Sequence, residues 1–245
     1  MPSATGHMSA TVSGRIVGAL VLLHIAGALT LPYILLNQAV HSPDFLESAA
    51  QNPGYLRAPA LLFLFGAAVT LWISILAYPV LRPSSHRLAL CLLALGVANL
   101  PLQVVESSMV LSMLSLGQRY AEAGTPDRAM LQVVAAAAYG ARRWAHYTQL
   151  FTVVSWIFVL FAVLWRARLI PRVLAAAGLV ACALQITGVP LRALLGYPVV
   201  TEAAMPLGPV YVGLGVWLIV KGFGGRREAA FDRAVEGFPI QNPRA

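Results

Sequence analysis

Six apolar runs, each close to the length that crosses a bilayer as a helix, recur along this chain. About 20 residues suffice for one crossing. In hydrocarbon every backbone N–H and C=O must be bonded within the structure, so only helices or a closed barrel are allowed. The runs are continuous rather than alternating, which argues against a barrel. Of the 245 residues, 59% are hydrophobic and only 11% charged, with a mean hydropathy of +0.75. Soluble domains carry about 25% charged residues. The expected fold class is therefore all-α: a six-transmembrane helical bundle forming one integral membrane domain over residues 1–245.

The expected spans are 16–36, 58–81, 88–116, 147–165, 173–196 and 203–220, followed by a polar tail from 222 to 245. Basic residues set the expected orientation. Arg15, Arg82, Arg87, Arg166, Arg168 and Arg172 fall on one side, joined by Lys221, Arg226, Arg227, Arg233 and Arg244 of the tail. The other side has Arg57, Arg119, Arg128, Arg142, Arg143 and Arg192, diluted by Asp44, Glu47, Glu122, Asp127 and Glu202. An excess of Lys and Arg marks the cytoplasmic face, so both termini are expected there, as an even span count also requires.

The links 82–87 and 166–172 are short, so spans two and three, and spans four and five, should be antiparallel neighbours. The outer connections are longer and leave room for short extramembrane or interfacial helices. Ser42-Pro43 could start one, because Pro is tolerated in a first helical turn. Asn52-Pro53-Gly54 reads as a turn. The Ala-rich segment 129–141 is too short to cross. It is expected to lie at the interface, to re-enter, or to extend span four, with Gly140 a candidate break. A short helix over 226–236 is one reading of the tail.

The net charge of +8 gives no argument for nucleic acid, because the basic residues sit in the short loops between spans. The first apolar run is longer than a signal-peptide core and reads as a retained helix. Cys91 and Cys182 lie inside spans with no metal or redox spacing. No metal or cofactor is expected, and no nucleotide-binding loop or hydrolase motif occurs. Arg makes up 16 of the 17 basic residues, the bias of a GC-rich bacterial genome. The bacterial cytoplasmic membrane is the expected location and the lipid bilayer the expected partner.

Chemistry should concentrate where polar residues interrupt the spans. No other charge stands between Arg87 and Arg119 than Glu106. A carboxyl in hydrocarbon costs about 3 kcal/mol unless a partner or water offsets it, and such acids are by default functional candidates. Asn99, Gln103 and Glu106 are spaced i, i+4, i+7 and line one helix face. Pro101 lies among them, where a kink is expected. Span four opens with Arg142, His146 and Gln149 at the same spacing, and Arg143 and Arg192 lie at similar expected depth. Together these residues suggest one polar pocket in the outer half of the bundle. Glu106 would be its acid, His146 the group exchanging protons near neutral pH, and Arg142, Arg143 or Arg192 a countercharge. The alternative for the arginines is snorkelling to headgroups, and for Asn99 and Gln103 the linking of helices at about 1 kcal/mol each. His24, mid-span, either packs between helices or ligates a metal or haem with His146. Gly14 and Gly18 have the spacing of a close helix contact. Tyr33, Tyr55, Trp144 and Tyr147 read as interfacial anchors.

Four stretches carry a family resemblance. These are WRARLIPRVL at 165–174, GLGVWLIVKG at 213–222, QVVE at 103–106 and His146-Tyr147. They resemble the family called domain of unknown function 4386, small bacterial membrane proteins. The first looks like its link between a hydrophobic helix end and a Leu-Pro-Arg start, and the second its closing Trp-Leu-x-x-Lys-Gly. The third is similar to an Arg-Leu-Val-Glu in its third span, and the fourth to a polar pair opening its fourth. Gln103 stands where the family often has Arg, so one built-in partner for Glu106 is missing. The resemblance implies fold and span order and no activity.

Three functional readings follow. The protein binds or transports a small or amphiphilic, lipid-like ligand in the Glu106 pocket. Or it is a membrane-embedded enzyme with Glu106 and His146 as acid and base. Or it is an accessory subunit whose polar residues only pack helices. An open Glu106-lined cavity would favour the first two, and a filled core the third.

Overall fold

A computed structural model describes residues 9–30, 45–51 and 54–223 of the chain. Among these the protein is helical, with no strand. The helices are α1 (Ala10–Thr30), α2 (Phe45–Gln51), α3 (Gly54–Leu81), α4 (His86–Glu122), α5 (Thr125–Ala167), α6 (Arg172–Leu195), α7 (Val200–Ala204) and α8 (Leu207–Lys221). Six stretches are long and apolar enough to cross a membrane: Ala10–Ala28, Arg57–Leu81, His86–Glu122, Pro126–Ala167, Arg172–Leu195 and Val200–Lys221. The end of span one after residue 30, the proposed helix start at Ser42-Pro43, the Asn52-Pro53 turn, the Tyr33 anchor and the tail beyond 223 lie outside the described residues.

Local signals explain where the helices start and stop. Ser85 caps α4, its hydroxyl accepting from the Leu88 N–H at 3.4 Å. That supplies an acceptor to one of the orphan donors of a first turn. α5 begins after Gly124 with Pro126 in its first turn. It ends at Arg168, whose φ of 57° is left-handed. α6 stops at Gly196, φ 75°, where a residue without Cβ takes the turn at no steric cost.

Two long helices depart from the expected limits. α4 has 37 residues and α5 has 43, so they extend about 55 and 65 Å along their axes. The hydrocarbon layer is only about 30 Å thick. The segment 129–141 is thus the first part of α5, and span four runs on beyond its expected start at 147. Gly140 does not break it. A helical glycine weakens the helix by only about 1 kcal/mol, and neighbouring Ala135, Ala138 and Tyr139 of the same helix pack into the smaller core. α4 likewise continues through Pro101. α1 begins at Ala10, six residues before its expected start, and the apolar stretch of α8 is preceded by the short α7.

The bundle has two apolar cores. The larger holds Val17, Ile73, Leu92, Trp156, Phe161, Leu164, Tyr211 and Leu214, all fully or almost fully buried. The smaller, at the end of the bundle carrying α2, holds Phe45, Leu46, Phe63, Val110, Met113 and Tyr120. Its tight spot is Gly117, where a Cβ would meet Leu46 O at 3.2 Å and Ala49 closer still. Large exposed apolar side chains such as Leu61, Phe65, Trp72 and Val97 cover the outside, as lipid-facing surfaces require.

α1 and α8 run antiparallel, with Gly14 against Gly222 and Phe223, and Gly18 against Gly215 and Ile219. The Gly14/Gly18 spacing therefore makes the close helix contact it suggested, and the start of α1 meets the end of α8. A Cβ at Gly18 would lie 2.7 Å from the Gly215 carbonyl oxygen and 2.7 Å from the Ile219 nitrogen. Backbone cannot yield as a side-chain tip can. Gly18→Leu is expected to destabilise the protein by at least about 1–3 kcal/mol, read from the unfolding midpoint in detergent. An unchanged midpoint would show that the two helices do not meet here.

Candidate functional site

A belt of polar side chains separates the two cores. On α4, Asn99, Gln103, Glu106 and Ser107 lie between Leu92 of the larger core and Val110 of the smaller; all four are buried. On α5, Arg142 and Gln149 lie between Ala135 and Val153, and both are buried. Helical periodicity puts each set on one face, and the antiparallel hairpin turns the two faces together.

The belt has two parts. In the first, the Glu106 carboxylate is 0% exposed. Its Oε1 lies 2.9 Å from His146 Nδ1 and 4.0 Å from an Arg142 terminal nitrogen, Nη2. The Arg142 side chain is 8% exposed and that of His146 is 31% exposed, so the imidazole is the group of the three that reaches the surface. The other carboxylate oxygen, Oε2, has no hydrogen-bond partner among the described residues. Neither do Arg142 Nε and Nη1, nor Gln103 Oε1. Buried acceptors on α4 and buried donors on α5 are therefore left open among the described residues.

The second part is internally satisfied. Gln149 Nε2 donates to Asn99 Oδ1 at 3.1 Å, and Asn99 Nδ2 donates to Thr70 Oγ1 at 3.2 Å. Thr70 donates to its own helix at Ala67 O, 2.8 Å. One turn on, Ser74 Oγ donates to Thr70 O at 2.8 Å and accepts from Trp156 Nε1 at 2.8 Å. These groups bind α3, α4 and α5 together. Ser107 Oγ adds a bond to Ala60 O at 2.9 Å.

The sequence singled out eight residues for the pocket. The structure joins Glu106, His146 and Arg142 directly and places Gln103 one turn away on the same face. Asn99 and Gln149 are part of the belt but spend hydrogen bonds on each other and on Thr70. Arg143 stands over the Tyr139 ring at 5.7 Å. Arg192 donates from Nη1 to Gly196 O at 3.1 Å and closes its own helix end. Thr70, Ser74, Ser107 and Trp156 were not anticipated. The available signal was the i, i+4 pair Thr70/Ser74 inside an apolar span, and the face of Arg142, His146 and Gln149 continuing to Trp156.

His24 does not share a site with His146. Its Nδ1 lies 3.3 Å from the Tyr211 hydroxyl, and its ring meets Trp156 edge-on at 6.0 Å. Trp156 is ten residues from His146 on one helix, about 15 Å. The helix-packing reading of His24 holds. Cys182 is buried and Cys91 exposed, both as free thiols.

Depth follows from α4 itself. Glu106 is 19 residues from Arg87, about 29 Å along the axis. That is nearly the thickness of the hydrocarbon. The acid is thus buried in protein, about 29 Å from the end of the bundle that carries the arginine-rich links.

Fold and belt define a class: a multi-pass helical membrane protein with a sealed acid on its third span. The chain matches the model of the family described as Domain of unknown function (DUF4386) over residues 16–222, most of its length, and it belongs to that family. No curated protein matches it, and no solved structure does.

Proposed function

We propose that the protein binds a small polar ligand at Glu106, Arg142 and Gln103, admitted from the outer face of the bacterial cytoplasmic membrane past His146. The observation that carries this is the set of unpartnered buried groups. Each buried donor or acceptor left open costs about 1–3 kcal/mol, and more when charged. Four such atoms on Glu106, Arg142 and Gln103 represent a substantial deficit that a bound solute or ordered water would remove. The open acceptors on Glu106 and Gln103 suit a ligand's donor, and the open N–H groups of Arg142 suit its acceptor. A zwitterion, an amide or a polyol carries both. The nearly sealed Glu106 and Arg142 favour a compact solute over an amphiphile, and the partly exposed His146 is the element whose movement would open the way.

One reading competes, on a specific observation. Glu106 is already bonded to His146, and Asn99, Gln149 and Thr70 satisfy one another. An accessory protein held together by this belt would need no ligand.

A thermal-unfolding screen of the purified protein against amino acids, amides and polyols separates the two. A ligand at 100 times its Kd adds about 2.7 kcal/mol of stability. At least one solute class is expected to raise the wild-type midpoint, and Glu106→Gln to abolish that rise. No rise with any class, together with no adduct in native mass spectrometry, would leave the accessory reading. A rise that survives Glu106→Gln would place binding elsewhere.

A further inference from the structure

The opposite end of the bundle carries a second concavity, independent of the Glu106 site. It is an open groove of about 410 Å³ between the start of α4, the end of α5 and the start of α6, lined by Leu88, Ala162, Trp165, Arg166, Arg168 and Arg172. Three of the six lining residues are arginines. No acidic side chain among the described residues pairs with them: the ion pairs of the described residues all involve Glu106. Links 82–87 and 166–172 contain no Asp or Glu, and add Arg82 and Arg87 to the same end.

The groove is a formed feature rather than a loose loop. Arg166 Nε donates to Ser84 O at 3.4 Å and ties the two links together. Trp217 Nε1 donates to Leu169 O at 3.3 Å and holds the second link against α8. Arg168 sits in a left-handed backbone conformation that ends α5, which directs the chain around the groove. The first turn of the 24-residue α6 has no side-chain cap, so its N-terminal N–H groups add partial positive charge at the rim. Trp165 is 40% exposed at the end of a membrane-spanning stretch, where an amphipathic ring marks the water–hydrocarbon boundary.

Guanidinium groups with no carboxylate partner among the described residues, gathered on one concave wall, suit a tetrahedral oxyanion, because a planar fork can give two parallel hydrogen bonds to phosphate oxygens. Basic pockets between membrane helices at the headgroup level select anionic phospholipids on the same physics. We propose that this groove is a phosphate-binding site, filled by the headgroup of an anionic phospholipid or by a free phosphate-bearing solute.

Native mass spectrometry of the full chain tests it, with dihexanoyl phosphatidylglycerol, dihexanoyl phosphatidylcholine and inorganic phosphate as probes. The anionic lipid should bind the wild type at least about five-fold more tightly than the zwitterionic one, and Arg166→Gln and Arg172→Gln should each weaken it by about five-fold. Combined, they should compound, and the corresponding Lys pair should restore part of the affinity. Arg119→Gln, exposed at the other end, should change nothing. Displacement of the anionic lipid by millimolar phosphate would identify a free phosphate solute as sufficient; resistance to it would identify the headgroup with its chains. Both side chains are exposed, so Arg172→Gln should keep the wild-type unfolding midpoint and Arg166→Gln, which gives up the bond to Ser84 O, should lower it only slightly. Equal binding of the two lipids, or binding unchanged by the Gln pair, would overturn the assignment.

Discussion

Glu106→Met is expected to destabilise the protein by about 3–5 kcal/mol, and adding Arg142→Met to recover most of that loss. The Glu106 carboxylate is fully buried and the Arg142 guanidinium nearly so. Arg142 Nε and Nη1 already lack partners among the described residues. Removing the acid would take away the one countercharge near the remaining nitrogen among the described residues and leave an uncompensated cation inside the bundle. Removing both charges eliminates the desolvation of each, and unbranched Met fills irregular space well. The measurement is a double-mutant cycle on unfolding free energy in detergent. Additive losses in the two single variants and the pair would show that the 4.0 Å approach carries no coupling. The same cycle separates stability from binding: a double variant that folds well yet loses every solute response would locate the ligand as proposed.

The second large effect is expected at Trp156, which is fully buried. Trp156→Ala should destabilise by about 3–5 kcal/mol, the usual range for emptying a large aromatic site. Trp156→Phe should lose only about 1 kcal/mol, the value of the hydrogen bond to Ser74. The gap between the two variants measures how much of the ring's role is packing. The indole fills the space beside Gly96, where an added Cβ would come 3.5 Å from Nε1, and it meets the His24 ring edge-on. A Phe variant as damaging as Ala would mean that the hydrogen bond dominates and that the ladder through Ser74 holds the helices in register.

Most of this architecture was legible in the sequence because a bilayer imposes local rules. A backbone in hydrocarbon must bond to itself, so an apolar run of sufficient length is a helix whatever its neighbours do. The faces of α4 and α5 that meet were legible for the same reason. Asn99, Gln103 and Glu106, and Arg142, His146 and Gln149, are fixed on their faces by helical periodicity alone. The limits of α4 and α5 were harder to read. Their extensions after residue 116 and before residue 147 persist as helix because Phe45, Leu46, Met113, Tyr120 and Ala135 pack together there, a contact between elements that no single stretch of sequence reveals.

What the sequence by itself determined is the class of the protein, the number of its crossings and the polar faces that would be turned inward, since each depends on spacing within one helix. The tertiary structure decided who meets whom. It brought Arg142 rather than Arg143 or Arg192 to Glu106, matched Asn99 to Gln149 and Thr70, turned Arg192 back onto its own helix end and left Arg142 half-satisfied. Those outcomes turn on the rotation and offset of one helix against another, which side-chain packing across the whole bundle sets and no stretch of residues encodes alone.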